Sequence, residues 1–205
     1  RQLSGVLVTA GRLFPSTVVP VTLCAEDMEG RLYEGETAVN DSHPPLARLW
    51  LEPREAEPLP EALLAILQAD LILLAPGSLY TSTIPNLLIP ELQQALARSE
   101  APIVYVANLM TEPGESAGLD LETHVASLQA FGGLGLAAVI ANDARLPAAV
   151  LHRYLEEGGA PLIPSGERVC GVPLFARPLL DPEEPLARHH PTLLNQALRE
   201  VIQSL

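Results

Sequence analysis

The segment from Leu71 to Leu92, LILLAPGSLYTSTIPNLLIPEL, places the tightest constraint on how this chain folds. Its aliphatic start, Leu71 to Leu74, predicts a short buried strand, and Pro76-Gly77-Ser78 predicts a turn. An apolar pattern with helical spacing begins at Ile84. A strand that enters a helix through a small-residue turn presents backbone N–H groups and the positive end of the helix dipole. The segment therefore predicts a site for a phosphate group, and hence for a nucleotide.

Polar side chains follow the carboxyl ends of three predicted strands. In an open parallel sheet, ligands bind beyond these ends, so we expect the side chains to line one crevice. The candidate ligand-binding residues are Gly77, Ser78, Tyr80, Thr81, Ser82, Asn108, Thr111 and Asn142. Each has a purely structural alternative, because the turn could be no more than a tight connection and the two asparagines could cap the segments that follow them.

Short apolar strands alternate with helices from residue 71 onward, which predicts a Rossmann-like α/β fold with a parallel sheet and helices on both faces. The predicted strands are Leu71–Ala75, Ile103–Ala107 and Ala137–Ala141, followed by a β-region from Leu162 to Leu180. The predicted helices are Glu61–Gln68, Ile84–Arg98, Thr123–Phe131, Pro147–Glu157 and Pro191–Ser204. Asp120 or Thr123 is the expected N-cap of the third helix, and Gly132-Gly133 its end.

The N-terminal part of the chain predicts a β-hairpin appendage to this sheet. Alternating apolar residues in Val18–Ala25 predict its first strand, and Leu32–Val39 its second. A further extended run covers Ala47–Leu51, inside a Pro- and Glu-rich stretch, 41–60, that we expect to be a mobile surface segment. We expect residues 1–205 to form a single domain and Gln2–Ala10 to form a short helix.

Composition narrows the function classes. The chain has 205 residues and a net charge of −13, and all 12 of its basic residues are arginines. Such an acidic surface opposes binding to DNA or RNA, and the absence of a long apolar run predicts no membrane span. Cys24 and Cys170 lie in apolar contexts without metal-ligand spacing, so we expect buried free thiols and a cytoplasmic protein.

Sequence patterns for metal or nucleophilic chemistry are weak. Four acidic residues crowd one region and could hold Mg²⁺ beside a phosphate, or could simply be solvated: Glu112, Glu115, Asp120 and Glu122. His189-His190 has no second ligand pair at a useful spacing, so no resident metal site is predicted. His124 could contact a ligand or lie on the surface. The nucleophile elbow GxSxG is absent around Ser78, and no catalytic residue is assigned.

The chain resembles the CofD-like superfamily, and within it the bacterial gluconeogenesis factor (YvcK-like) branch. The residues that carry the resemblance are Pro76–Ser82, Pro85–Leu88, Val104–Val106, Asn108, Met110-Thr111, Pro113–Glu115 and His124, with Phe14–Thr17 and Val21–Leu23 ahead of them. The family opens with a GGGTG loop and further Gly-rich segments that are not found here. We therefore expect the N-terminal part of the family fold to be absent, leaving an exposed edge that drives homo-oligomerisation.

The resemblance implies a Rossmann-like fold and two contrasting functions. The bacterial branch is linked to growth on gluconeogenic carbon sources, cell shape and peptidoglycan precursor supply, and is understood to bind UDP-sugars; a chain of this branch could be a binder without turnover. Its archaeal relatives are 2-phospho-L-lactate transferases acting on a deazaflavin precursor. By position, Gly77 and Ser78 would meet phosphates, and Asn108 and Asn142 would border the ligand. Tyr154 would stack on a base or sugar, and Arg188 would pair with a phosphate.

Overall fold

The computed structural model describes residues 11–42, 45–181 and 183–205. The helix predicted for Gln2–Ala10 lies outside the described residues. The strands are β1 (Thr22–Asp27), β2 (Leu32–Glu34), β3 (Leu46–Glu52), β4 (Ile72–Leu74), β5 (Ile103–Val106), β6 (Ala138–Asn142), β7 (Arg168–Val169) and β8 (Val172–Arg177). The helices are α1 (Glu36–Asn40), α2 (Pro60–Leu67), α3 (Ile84–Leu87), α4 (Pro90–Arg98), α5 (Leu121–Gly132), α6 (Ala148–Glu156) and α7 (Pro191–Ser204).

The main sheet has five strands in the order β4-β5-β6-β8-β7, of which the first four run parallel. β5 is buried throughout, because its alternate side chains enter two cores on opposite faces of the sheet. Tyr105 packs in the core that contains residues of α4 and α5, whereas Val104 and Val106 pack in the core that contains residues of α7. The predicted α/β fold, with a parallel sheet and helices on both faces, is confirmed.

The antiparallel edge of this sheet is a tight hairpin. β7 pairs with β8, and the two residues between them, Cys170 and Gly171, have φ angles of 47° and 79°. Two successive positive φ angles define the two-residue turn whose twist matches that of the paired strands. Cys24 is buried and Cys170 half-buried, and both are free thiols.

A second, three-stranded antiparallel sheet forms the appendage, in the order β2-β1-β3. The strand predicted for Leu32–Val39 is wrong in its second half. It ends at Glu34 because Gly35 adopts a φ of 88°, and α1 then turns Val39 into the core. β3 occupies seven residues of the stretch 41–60 and buries Leu49 and Leu51; the mobility of that stretch stays a prediction.

The helix predicted for Ile84–Arg98 is two separate helices, with a π-helical turn ahead of them. A π-helical turn covers Leu79–Thr83, α3 follows directly, and α4 starts afresh at Pro90. The break has a local cause, since Ile89 precedes a proline and takes an extended conformation with φ −75° and ψ 117°. Asp120 caps α5 through a hydrogen bond from the Thr123 N–H, and Gly133 ends it in the left-handed conformation, as predicted.

Candidate functional site

The turn after β4 is held by the side chain of Asn108, which follows β5. The Gly77 N–H donates to Asn108 Oδ1 at 3.1 Å, and Asn108 Nδ2 donates to the Gly77 carbonyl at 2.9 Å. β4 and β5 are parallel neighbours, so their carboxyl ends bring the two residues together although 31 positions separate them in sequence. Asn108 therefore fixes the shape of the turn from the adjacent strand.

Glu115 occupies the N–H groups that the sequence pattern offers to a phosphate. Its Oε1 accepts hydrogen bonds from the backbone N–H groups of Tyr80 and Thr81, both at 2.6 Å. The N–H groups of Ser82 and Thr83 donate to the Ser78 carbonyl. The expectation of open N–H groups along this turn is thus wrong for these four residues, because the chain supplies its own carboxylate and carbonyl as acceptors.

A second carboxylate lies beside the first. The Ser78 hydroxyl donates to Glu112 Oε2 at 2.8 Å, and the Glu112 N–H donates to Ser116 Oγ at 2.9 Å. Glu115 is fully buried, and its Oε2 has no hydrogen-bond partner among the described residues. Burial, reinforced by the negative charge of Glu112, raises the pKa of Glu115 to about 7.

A cleft of about 260 Å³ opens at the carboxyl ends of β4 and β5. It is lined by Pro76, Gly77, Asn108, Leu109, Met110, Thr111, Glu112, Pro113, Tyr154, Ala187 and His189. Four of the predicted site residues therefore meet here: Gly77, Asn108, Thr111 and Tyr154. We name this space the β4–β5 cleft.

Thr111 joins two walls of the β4–β5 cleft. Its N–H donates to the Ala160 carbonyl at 2.7 Å, and the Ala160 N–H donates to Thr111 Oγ1 at 2.8 Å. Since Ala160 follows α6 closely, this pair ties the loop after β5 to the helix that carries Tyr154. The Thr111 side chain is almost fully buried and acts as a tie between segments.

Other predicted residues lie away from the β4–β5 cleft. The Tyr80 hydroxyl is buried against Ser127 Oγ at 3.0 Å, on the α5 side of the sheet. Ser82 is exposed, and Thr81 contributes its N–H to Glu115. The side chain of Arg188 is exposed and does not line the cleft, although the residues on either side of it do.

Asn142 anchors the chain beyond β8. Its Oδ1 accepts from the Leu179 N–H at 2.9 Å, and its Nδ2 donates to the Ala144 carbonyl at 2.8 Å. It also lines a separate hollow of about 410 Å³ that shares Leu109 with the β4–β5 cleft. The amide thus bonds backbone groups in this structure, but it does not cap the helix that follows, because α6 begins after Pro147 without a side-chain cap. Contact between Asn142 and a ligand stays a prediction.

The sequence does not single out His189 as a member of a nucleotide site, because its pairing with His190 suggests only metal ligation. Glu112 is singled out as part of an acidic region that could hold Mg²⁺ beside a phosphate, and it lies at the carboxyl end of β5 as expected. The position of His189 in the β4–β5 cleft depends on the return of the chain after β8, which no local pattern reveals. The sequence offers one hint that His189 could lie near a ligand: it directly follows Arg188, which matches a ligand-contacting position of the family.

The four acidic residues do not assemble a cation site. Glu115 and Glu112 accept hydrogen bonds from the turn, Asp120 caps α5, and Glu122 is exposed. Over residues 11–42, 45–181 and 183–205, no group of three or more Asp, Glu, His or Cys side chains is placed to hold a metal ion. His124 is buried, and desolvation lowers its pKa to about 4, so it packs within α5 as a neutral ring.

Comparison with known proteins assigns the family. Residues 1–179 match the sequence model of the family described as 2-phospho-L-lactate transferase CofD. The chain therefore belongs to the CofD-like superfamily. Its relatives place it in the gluconeogenesis factor branch: the gluconeogenesis factor of Bacillus subtilis is 35% identical over 78% of this chain and 51% of its own length.

Further relatives agree with this assignment. A Deinococcus radiodurans protein, provisionally assigned as a gluconeogenesis factor, is 40% identical over 98% of this chain and 43% of its own length. A crystal structure of a Bacillus halodurans protein superposes with a TM-score of 0.90 at 29% identity and covers 97% of this chain and 65% of its own. The chain thus spans between 43% and 65% of the length of these three relatives.

Proposed function

We propose that this chain carries part of a nucleotide-sugar site of the gluconeogenesis factor branch, and that it takes part in growth on gluconeogenic carbon sources, in cell shape and in peptidoglycan precursor supply. The β4–β5 cleft carries the proposal, because it brings Gly77, Asn108, Thr111 and Tyr154 together at the carboxyl ends of parallel strands. The names of the relatives support the metabolic role. A UDP-sugar is the proposed ligand.

Each wall of the cleft has a proposed task in binding. Asn108 holds the Gly77 turn in a fixed shape, so the ligand phosphate meets a turn that is already ordered. Tyr154 offers a half-buried aromatic ring on which a base or sugar can stack. Arg188, exposed beside the cleft, can reach a phosphate from its rim. No residue of the cleft is assigned a catalytic step.

Calorimetric titration tests this function. The protein is titrated with UDP-N-acetylglucosamine, UDP and GDP, each with and without Mg²⁺. We expect the UDP-sugar to bind more tightly than either diphosphate, and Arg188→Ala to weaken it about tenfold. Arg199→Ala, which removes an exposed arginine of α7 whose hydrogen bond among the described residues goes to Asn195, is the matched control. Absence of UDP-sugar binding by the wild-type chain contradicts the proposal.

The second candidate function is transfer of a phospholactyl group to a deazaflavin precursor, which the matching family description favours. The acidic residues near Ser78 do not fit a magnesium site, so no step through that ion is derived. Catalysis would then depend on positioning of two substrates in the β4–β5 cleft. Formation of the transfer product from purified substrates distinguishes this function, and no product at high protein concentration contradicts it.

A further inference from the structure

The hollow beside the β4–β5 cleft has mostly apolar walls. It measures about 410 Å³ and lies at the carboxyl end of β6, the strand that contributes Asn142 to its lining. We name it the β6 hollow. Ile163 contributes to its lining although 72% of the residue is exposed, so a large apolar side chain is open to a ligand there. Six apolar side chains larger than alanine line the hollow: Leu109, Leu146, Leu151, Pro161, Leu162 and Ile163.

The β6 hollow and the β4–β5 cleft are neighbours. Leu109 lines both spaces, and α6 contributes Leu151 to the hollow and Tyr154, one turn later, to the cleft. The cleft, at about 260 Å³, is smaller than the range of about 300–1,000 Å³ that is usual for sites burying a small ligand. The two spaces together fall within that range. A ligand as large as a nucleotide sugar thus exceeds the cleft and has the hollow as the adjoining space.

Hydrogen bonds hold the walls of the β6 hollow in place. Met110 pairs with Pro161 in an antiparallel bridge, and the Leu162 N–H donates to the Leu109 carbonyl at 3.1 Å. The side-chain amide of Asn142 fixes the backbone that follows β6. The hollow is therefore formed before a ligand arrives, and binding does not have to order these segments.

We propose that the β6 hollow holds the base of the nucleotide sugar, while the β4–β5 cleft holds its phosphates and its sugar. The inference rests on the proposed function, because the ligand is the one proposed for that site. A base has two flat faces that pack well against apolar walls, whereas phosphates and sugar hydroxyls need polar partners. Polar groups of that kind lie in the cleft, on the Gly77 turn and on Asn108, Thr111 and Glu112.

The charges of the β6 hollow also favour a base over a phosphate. Asp143 and Arg145 carry opposite charges, line the hollow and are exposed. The edge of a base presents N–H and carbonyl groups side by side, so it can donate to the Asp143 carboxylate and accept from the Arg145 guanidinium. A phosphate would be repelled by Asp143 and would leave water for apolar walls. Tyr154 then stacks on the sugar and not on the base.

Two substitutions test the β6 hollow, one by removing contacts and one by filling it. Ile163→Ala removes apolar contacts at an exposed position, so it spares the fold. Ala144→Phe fills the hollow and keeps the backbone groups that bond Asn142. The matched control is Ile202→Ala, at an isoleucine of α7 that is 52% exposed and lines neither space. Each variant is titrated with UDP-N-acetylglucosamine and with UDP, and thermal unfolding checks that it is folded.

We expect Ile163→Ala to weaken the binding of both ligands about fivefold and Ala144→Phe to weaken it at least about thirtyfold, with Ile202→Ala matching wild type. The loss should be equal for the two ligands, because both carry the base. In nuclear Overhauser spectra of the wild-type complex, the uracil ring protons should contact the methyl groups of Ile163 and Leu151. The sugar protons should contact the Tyr154 ring.

Three results would overturn this inference and leave the proposed function standing. One is unchanged affinity in both Ile163→Ala and Ala144→Phe, and another is contact of the uracil protons with the Tyr154 ring in place of the Ile163 methyl groups. The third is a loss confined to UDP-N-acetylglucosamine, because it would put the sugar in the hollow. Absence of nucleotide binding by the wild-type protein overturns the proposed function and this inference together.

Discussion

The carboxylate of Glu115 is subject to opposing effects. The N–H groups of Tyr80 and Thr81 favour its ionised form, whereas burial and the neighbouring charge of Glu112 disfavour it. The net result is a pKa of about 7, raised from 4.5. The charge of Glu115 therefore changes near neutral pH, beside the turn that the proposed ligand would meet.

We predict that Glu115 makes the stability of the protein fall as pH rises. Its folded pKa is about 7 and its ordinary value 4.5, so between these values the folded state holds a proton that the unfolded state has released. The free energy of unfolding then decreases toward pH 7 by an amount of order 2 kcal/mol. Glu115→Gln should flatten this dependence in urea denaturation between pH 4.5 and 8.

The control for this experiment is Glu122→Gln, which changes an exposed carboxylate of α5. Its stability profile should follow that of the wild-type protein over the whole pH range. An equal slope in wild type and Glu115→Gln would show that Glu115 does not titrate in this window.

At the scale of elements, the loop between β5 and α5 is shaped by contact with α1. Gly114 has a φ of 80°, and a Cβ at this position would lie 2.7 Å from the backbone carbonyl oxygen of Asn40. The residues on either side of this tight contact include both carboxylates that bond the β4 turn, Glu112 and Glu115. The position of α1 is thereby coupled to the geometry of the site.

We predict that Gly114→Ala destabilises the protein and weakens ligand binding, whereas Gly118→Ala does much less. Gly118 has a similar φ of 77°, but a Cβ there would have no atom within 4 Å, so it isolates the conformational cost of about 1 kcal/mol. The clash with Asn40 should bring the loss for Gly114→Ala to about 3 kcal/mol in denaturant unfolding. Equal losses in the two variants would contradict the role of this contact.

Elements that depend on interactions between residues close in sequence are predicted well, and elements that depend on contacts between distant residues are not. The predictions for β5 and β6 are right to within a residue or so, because each is a short run of apolar side chains between turns. The start of α5 is also local, since Asp120 caps it. The π-helical turn is not predictable, because the carboxylate that holds its first N–H groups lies 35 residues further along the chain.

At the scale of the whole molecule, charge and sheet edges are unevenly distributed. The chain has a net charge of −13, and no arginine of the described residues lines the β4–β5 cleft. β4 forms one edge of the main sheet, and Leu73 on it is 43% exposed. Among the described residues, none of the helices combines the length and apolarity needed to cross a bilayer.

We predict that the 205-residue chain self-associates through the β4 edge. Leu64 and Leu67 of α2, just before this strand, are 54% and 52% exposed, and an open strand edge pairs readily with another chain. Light scattering should show that the double variant Leu64→Lys and Leu67→Lys shifts the protein toward monomer. Leu155→Lys, at a leucine of α6 that is 54% exposed, should leave the association unchanged.

The lining of the β4–β5 cleft has a kinetic consequence. Because the net charge is −13 and no arginine of the described residues lines the cleft, the long-range field that an approaching nucleotide meets is repulsive, and binding depends on short-range contacts with the turn and with Arg188 at the rim. Added salt screens repulsion between like charges over roughly 10 Å. Stopped-flow measurements should therefore show association becoming faster between low and moderate ionic strength, the reverse of what arginine-lined phosphate sites show. The protein would therefore bind its ligand faster at moderate ionic strength than at low ionic strength.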